Sequence, residues 1–394
     1  MRNSLKKILP AKLKNIIKHQ INTYESKIIE ADLLIFDDIF PNPISDWRQN
    51  EFLHYLREIK NTFVVKDILN FHISHSRQKQ IEVFAVNYPL FQNRIITFKS
   101  YDRFKAKLGY CLFYNNLRKI YPILEKNNIP FVFTLYPGGG FALYDNETES
   151  NLKTYFKSPL FRHVIVNMPY IYDYLLERFE LKKEDVTLIY GAPLKLPTHK
   201  EKRILGRSNH LKIVFSAHKY MPYGIDKGFD IFNRVAKQLE GDKRFKFYCI
   251  GGFTENDLMT QTNNIQFIET KDPEGLGNEF LKYDIIISPN RSHIQYFGSF
   301  DGFPTGSVVH ACNSGCLMML TDDWGNAEKI GLVDNEHFIL ISPNARDIVD
   351  KLLSIIKDDK VNDIARKGKE VLTEKFNIDK QLLTRTLIIN KYLQ

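Results

Sequence analysis

Long apolar runs and paired cysteines are both missing from this sequence of 394 residues. No run approaches the ~18–20 apolar residues that a membrane span needs, and no apolar signal-peptide core follows the basic start. The cysteines do not have the pattern of a disulfide framework; there are four of them, Cys111, Cys249, Cys312 and Cys316. We therefore expect a cytoplasmic protein rather than a membrane-spanning or disulfide-rich one.

Acidic residues are absent from the first twenty positions, which carry six of the nine excess positive charges of the chain. The rest is close to balance, which argues against a broad nucleic-acid-binding surface. Apolar residues recur at near-helical spacing between the basic residues of this segment. Segment 1–20 is therefore either a helix on the inner face of an anionic membrane or a solvated first helix packed on its domain.

A metal-ligand pattern is also lacking. His310, Cys312 and Cys316 lack a standard zinc spacing, and no fourth ligand stands near them. Residues on the face of one helix explain this trio better. We predict neither a metal ion nor a bound cofactor.

What is present is apolar material for two cores, with 43% hydrophobic and 13% aromatic residues. Short apolar runs alternate with helix-like stretches, which is typical of an α/β fold with parallel sheets. The alternation stops over 192–210 and then resumes. We predict two facing Rossmann-like domains, 1–195 and 196–378, and a final helix, 379–394, that crosses back to the first domain.

Ligands of open α/β sheets bind outside the carboxyl ends of the strands, so two facing domains would share one cleft. The most informative segment follows the strand that ends at Ser288. It gives a loop and then a helix that starts near Ser307: Asp301-Gly302-Phe303-Pro304-Thr305-Gly306. Glycines and a helix N-terminus favour anion binding. The acid Asp301 fits sugar hydroxyls beside a diphosphate.

This loop and helix, followed by Gly315 and a strand ending in Thr321-Asp322, resemble the donor-site signature of retaining glycosyltransferases with the GT-B fold, family 4. The resemblance is specific over about 211–385 and covers the first half only as general architecture. It implies that Asp301 contacts the transferred sugar. It also implies that the backbone from Gly302 to Ser307 holds the sugar or the diphosphate.

Two lysines match further features of that family. Lys219, in Ser216-Ala217-His218-Lys219, and Lys227, in Lys227-Gly228-Phe229-Asp230, would meet the donor diphosphate, although isolated lysines are usually solvated. Fixed cations stabilise the charge that develops on a departing diphosphate. The chain has no Asp-x-Asp pair for a divalent ion, which fits phosphate handling by lysines and helix ends.

One position departs from the family pattern. Alignment on Gly315 places His310 where a ribose-binding glutamate is expected. A histidine can hydrogen-bond a hydroxyl but supplies no fixed carboxylate. His310 is therefore either an altered donor contact or a helix residue without a ligand.

Further candidates stand at other strand ends, where a simple turn or a surface position is the alternative explanation. On the donor side they are Gly251, Gly252, Glu269 and Thr270. On the first-domain side they are Gly138, Gly139, Gly140 and Asp37. His72, His75 and His163 are weaker candidates for a base or a sugar contact.

The resemblance implies a retaining, metal-independent glycosyltransferase that uses a nucleotide-diphosphate sugar. Its acceptor would be a saccharide or a lipid-linked saccharide, in bacterial surface polysaccharide assembly. One alternative is a non-catalytic sugar- or nucleotide-binding partner with the same fold. The other is a sugar-nucleotide epimerase or a phosphorylase.

Overall fold

The computed structural model describes residues 28–42, 45–69, 76–99, 103–196, 210–356 and 360–394. Its first sheet has seven strands within these ranges, all parallel, in the order β3-β2-β1-β4-β5-β6-β7. They are β1 (Ile28–Phe36), β2 (Thr62–Lys66), β3 (Ile95–Thr97), β4 (Arg103–Leu112), β5 (Phe131–Leu135), β6 (Phe161–Val166) and β7 (Val186–Leu188).

The second sheet has six described strands, again parallel, in the order β10-β9-β8-β11-β12-β13. They are β8 (Leu211–Ser216), β9 (Phe245–Ile250), β10 (Ile265–Ile268), β11 (Ile285–Ser288), β12 (Leu317–Leu320) and β13 (Ile339–Leu340). The prediction of two parallel α/β sheets is confirmed. The predicted domain limits remain predictions.

Helices connect the strands, as parallel pairing requires. Around the first sheet they are α1 (Asp46–Glu58), α2 (Ser76–Asn87), α3 (Tyr114–Lys126), α4 (Asn146–Lys157) and α5 (Pro169–Phe179). Around the second they are α6 (Phe229–Gln238), α7 (Pro273–Phe280), α8 (Gly306–Asn313), α9 (Asn326–Lys329), α10 (Ala345–Ile355) and α11 (Val361–Lys375).

Each sheet is buried on both faces because successive side chains of a strand point to opposite sides. In β1, Leu34 and Phe36 join one core cluster, whereas Leu33 and Ile35 join another. The second sheet is built in the same way. The strands of such a sheet therefore need continuous runs of apolar residues, whereas a strand with one solvated face would alternate apolar and polar residues.

The last helix, α12 (Ile378–Leu393), packs against the first sheet and α1. Arg385 and Glu51 are both completely buried and form an ion pair of 3.8 Å. Arg385 also donates to the hydroxyl of Tyr136 at 3.0 Å. A hydrogen bond of 2.8 Å joins His54 Nε2 to Thr386 Oγ1. The end of the described chain thus completes the core of the first half.

Within the described ranges, every helix is too short or too polar to cross a membrane. The basic segment 1–20, for which we expected a helix, lies outside these ranges, as do His72 and His75. The association of 1–20 with a membrane surface stays a prediction.

Candidate functional site

A cavity of about 610 Å³ lies between the two sheets. Its first-domain wall comes from the loop after β1, the start of α1 and the residue before α3. Its second-domain wall comes from the carboxyl ends of β8, β9 and β11 and the start of α8. This is the position at which open parallel sheets bind ligands. We refer to the cavity below as the cleft.

The strand ends of the second domain approach each other closely at Gly251. Its φ is +124°, and a Cβ built there would lie 1.8 Å from the carbonyl oxygen of Ala217. A side chain at this position would force β8 and β9 apart. Gly251 therefore keeps the wall of the cleft compact and its backbone accessible.

The amino end of α8 points its polar groups at the cleft. Thr305 is the N-cap residue, and no side chain caps the helix. The first described backbone bond of the helix runs from Val309 N–H to the Thr305 carbonyl at 3.0 Å. The Ser307 hydroxyl donates to the Ser216 carbonyl at 2.8 Å and ties the helix to β8. Such an end carries partial positive charge and free N–H donors.

Lys227 and Asp301 meet beside this helix end. Lys227 Nζ lies 2.5 Å from Asp301 Oδ2, and the two side chains are 13% and 33% exposed. Burial lowers the pKa of Lys227, but Asp301 outweighs it, so that the net change is a rise. The ammonium lies 5.0 Å from the centre of the Tyr220 ring. A cation and a carboxylate are thus fixed side by side at one edge of the cleft.

Lys219, the other predicted cation, lines the cleft but is held by Asp257. Its Nζ lies 2.9 and 3.0 Å from the two carboxylate oxygens. Asp257 also accepts from the backbone N–H of Thr254 at 3.0 Å. The side chain of Lys219 is 36% exposed. It therefore stays accessible to a ligand.

His310 lines the floor of the cleft on α8 and is only 4% exposed. Burial lowers the pKa of its imidazole to about 4. Its Nδ1 is buried and has no hydrogen-bond partner. At neutral pH the residue therefore presents an uncharged ring with a vacant polar atom.

The other donor-side candidates divide into three groups. Gly251, Thr270, Thr305, Gly306 and Ser307 line the cleft. Gly302, Phe303 and Pro304 line a small cavity of about 30 Å³ on the far side of Asp301 and Thr305. Gly252 and Glu269 end the same strands but do not line the cleft within the described structure.

The glycines Gly138, Gly139 and Gly140 are not among the residues that line the cleft within the described structure, and their contact with an acceptor stays a prediction. All three have positive φ, from 56° to 79°. A Cβ on Gly139 would lie 2.7 Å from Phe113, and one on Gly140 would lie 2.2 Å from Asn115 Oδ1. A side chain at Gly139 or Gly140 would thus meet the start of α3, whereas one at Gly138 would enter open space.

Asp37 also lies beneath the surface, so the expectation that its carboxylate faces the cleft is corrected. It is completely buried and binds Arg48 Nη1 through both oxygens at 3.0 Å. It also accepts from the N–H groups of Ile39 and Phe40 at 3.0 and 2.8 Å. Burial raises its pKa to about 6, with Arg48 opposing this rise. His163 is buried too, and it bonds Thr187 Oγ1 at 2.8 Å.

Sequence reasoning missed two parts of the cleft. The first is the first-domain wall, formed by Asp46, Trp47, Arg48 and Phe113, and the second is a pair of second-domain residues, Tyr220 and Lys271. The one sequence feature that marks this wall is the dense group of acidic, aromatic and basic residues where α1 begins. Among the described residues, no cluster of three or more His, Cys, Asp or Glu could hold a metal ion.

No protein-family model and no curated protein matches the sequence. Solved structures do match. HepE of Anabaena, in complex with UDP and glucose, has a TM-score of 0.64 at 12% identity, over 91% of this chain and 99% of that one. The chain has the GT-B fold.

Two further GT-B structures support this assignment. Sucrose-phosphate synthase from Thermosynechococcus elongatus has a TM-score of 0.61 at 13% identity, over 91% of this chain and 98% of that one. A glycosyltransferase from Rickettsia africae has a TM-score of 0.59 at 13% identity, over 92% and 99%. The predicted fold, with its returning helix, is confirmed.

Proposed function

We propose that this protein is a glycosyltransferase that moves a sugar from a nucleotide-diphosphate sugar to a hydroxyl-bearing acceptor. One observation carries the proposal: the Lys227–Asp301 pair stands in the cleft beside the uncapped start of α8. Together they offer a carboxylate for sugar hydroxyls, and a cation and N–H groups for phosphate oxygens, within one site.

The proposed roles follow from these contacts. Asp301 accepts hydrogen bonds from hydroxyls of the transferred sugar. Lys227, Lys219 and the backbone from Thr305 to Ser307 stabilise the diphosphate as it gains negative charge. The resemblance adds the backbone from Gly302 to Pro304 as a contact of the sugar or the diphosphate. Because HepE was solved with UDP and glucose, we propose a uridine nucleotide and a hexose as the first donor to test.

Several finer features rest on the resemblance alone. They are retention of configuration, independence of metal ions and a hexosyl donor. The same holds for a lipid-linked or saccharide acceptor, a role in bacterial surface polysaccharide assembly, and a cytoplasmic location at the inner face of the membrane. With retention, the departing phosphate can take the acceptor proton, so we assign no protein base.

A second function, non-catalytic binding of a sugar nucleotide as a partner of another transferase, is favoured by His310. This neutral, buried ring stands where the resemblance expects a carboxylate that binds the ribose. Binding without transfer would select this alternative. Turnover of the donor without an acceptor would instead select an epimerase.

The test combines thermal shift with transfer assays, using UDP-glucose and GDP-mannose. A ligand that binds only the folded state raises its apparent stability by mass action. We expect Asp301→Asn to fold like the parent and to lose transfer by at least about 100-fold. Asp350→Asn removes the same charge from an exposed position on α10 and should change neither property. Full transfer activity in Asp301→Asn would refute the role of Asp301.

A further inference from the structure

The first-domain wall of the cleft has an aromatic surface. Trp47 and Phe113 both line the cavity, and their ring centroids are 5.9 Å apart. Tyr136 supports them from below at 4.9 and 5.4 Å. Arg385 of the returning helix holds the Tyr136 hydroxyl at 3.0 Å. The aromatic surface is therefore rigid, as a preformed binding site requires.

Arg48 supports this surface, and its charge is paired with carboxylates. Its guanidinium lies 5.3 Å from the centre of the Trp47 ring and 4.8 Å from that of Phe113. The same group is paired with Asp37 and Asp38. One cation between two carboxylates leaves this part of the wall acidic rather than basic.

Asp46 adds a further carboxylate beside Trp47. It is the first residue of α1 and lines the cleft. Burial raises its pKa to about 6. The backbone amides of Trp47 and Asp46 favour its charged form and partly oppose the effect of burial on its pKa. A carboxylate in such a wall can accept hydrogen bonds from ligand hydroxyls.

The two walls therefore differ in charge. The second-domain wall presents three lysines, Lys219, Lys227 and Lys271, against Asp301, and Asp257 holds Lys219 from behind. The first-domain wall presents Asp46 and Arg48, and Arg48 is paired with two carboxylates behind it. Anionic nucleotides are attracted to the second-domain wall and repelled by the first-domain wall. An aromatic ring beside a fixed carboxylate is suited to a sugar, whose C–H face is apolar and whose hydroxyls are donors.

We propose that Asp46 and Trp47 form the acceptor subsite, and that this subsite takes an uncharged sugar ring and discriminates against acidic sugars. The ring packs on Trp47 while its hydroxyls donate to Asp46. This inference rests on the proposed function, because an acceptor is needed only if the donor sugar is transferred.

Tryptophan fluorescence tests the proposal directly, because the chain has two tryptophans, Trp47 and Trp324. Trp324→Phe leaves Trp47 as the only indole. Full-length Trp324→Phe protein, saturated with UDP, is titrated with the methyl glycosides of glucose, galactose and N-acetylglucosamine, and with methyl glucuronide. We expect at least one neutral glycoside to change the Trp47 emission, and the glucuronide to bind at least about tenfold more weakly.

Asp46→Asn in the same background keeps the size of the residue, replaces one acceptor oxygen by an amide donor and removes its charge. We expect about tenfold weaker binding of the neutral glycoside and a smaller discrimination against the glucuronide. Asp350→Asn is the control for charge alone. In a transfer assay, Asp46→Asn should raise the acceptor KM more than it lowers kcat.

The thermal shift that UDP produces separates this inference from the proposed function. A UDP shift that persists while no neutral glycoside affects Trp47, or while the glucuronide binds equally well, would overturn the acceptor subsite alone. A large fall in kcat with an unchanged KM would also overturn it. If nucleotides produce no thermal shift in the parent protein, the proposed function itself is overturned.

Discussion

His310 is a neutral side chain in a cleft otherwise edged by charges. Burial alone lowers the pKa of its imidazole to about 4. The unfolded chain, in contrast, binds a proton below about pH 6.5. Between these two values the unfolded state carries more protons, so the folded state loses stability as the pH falls.

We predict that His310→Asn removes this dependence. The parent protein should lose about 1–2 kcal/mol more of its free energy of unfolding than the variant when the pH falls from 7 to 5. Urea unfolding at both pH values measures the difference. Three carboxylates with raised pKa values, Asp37, Asp46 and Asp226, are present in both proteins, so that their contributions cancel. Equal losses in the two proteins would contradict the burial of a neutral His310.

Among single site residues, only those within a sequence motif could be predicted. Asp301 and Lys227 were found because a loop, a helix and a spacing carry them, and they do meet in the structure. Asp46 was missed because nothing local distinguishes a cleft-lining acid from a surface acid. Asp37 was misplaced for the converse reason, since its partner Arg48 comes from the next helix.

Among the secondary-structure elements, the ends of β8 and β9 depend on a single residue without a side chain. Gly251→Ala would place a Cβ against the Ala217 carbonyl and keep an unfavourable φ of +124°. We expect a loss of several kcal/mol, larger than the ~1–2 kcal/mol of a strained φ alone. Donor binding should weaken as well, because the strand ends form the cleft wall.

Gly241→Ala provides the control for this substitution. Gly241 has a φ of +90°, and no atom lies within 4 Å of a Cβ built there. It should therefore show the cost of the backbone conformation without the steric conflict. The difference between the two losses in free energy of unfolding, measured by urea unfolding, gives the cost of the steric conflict with Ala217. Equal losses would mean that the ends of β8 and β9 can separate without cost.

Most buried strands were predictable because each is a short, continuous apolar run. The central strand β4 was not identified. Its first half alternates with charged residues, and two of these are satisfied by the neighbouring strand β1: Lys105 pairs with Glu30 at 3.3 Å and Lys107 with Asp32 at 3.0 Å. Partners on another strand are invisible to a local pattern, so a central strand resembled a solvated segment.

For the molecule as a whole, the returning helix α12 is the element that joins the end of the described chain to the core of the first half. The Arg385–Glu51 pair is surrounded by the hydroxyls of Tyr55, Tyr110 and Tyr136, and it is completely buried. The crossover was predictable from the position of the last helix. The buried ion pair was not, because its two members are far apart in sequence.

We predict that Arg385→Met costs about 3–5 kcal/mol of the free energy of unfolding, because it leaves Glu51 buried without a counter-charge. Arg366→Met removes an exposed arginine that pairs with Asp363 and Glu370. It should cost no more than about 1 kcal/mol. The double variant Glu51→Gln/Arg385→Met should recover part of the loss. Urea unfolding measures all three, and similar values for Arg385→Met and Arg366→Met would exclude a stabilising role for the buried pair.

This crossover also constrains how the protein is made. His54 and Thr386, which are hydrogen-bonded, stand 332 positions apart. At about 5–20 residues per second, a ribosome needs roughly 20–70 s to synthesise the chain between them. Throughout that interval the nascent first half carries a core carboxylate, Glu51, whose cation does not yet exist. The half that is translated first is therefore the half that must wait to finish folding, and chaperones would meet it in that unfinished state.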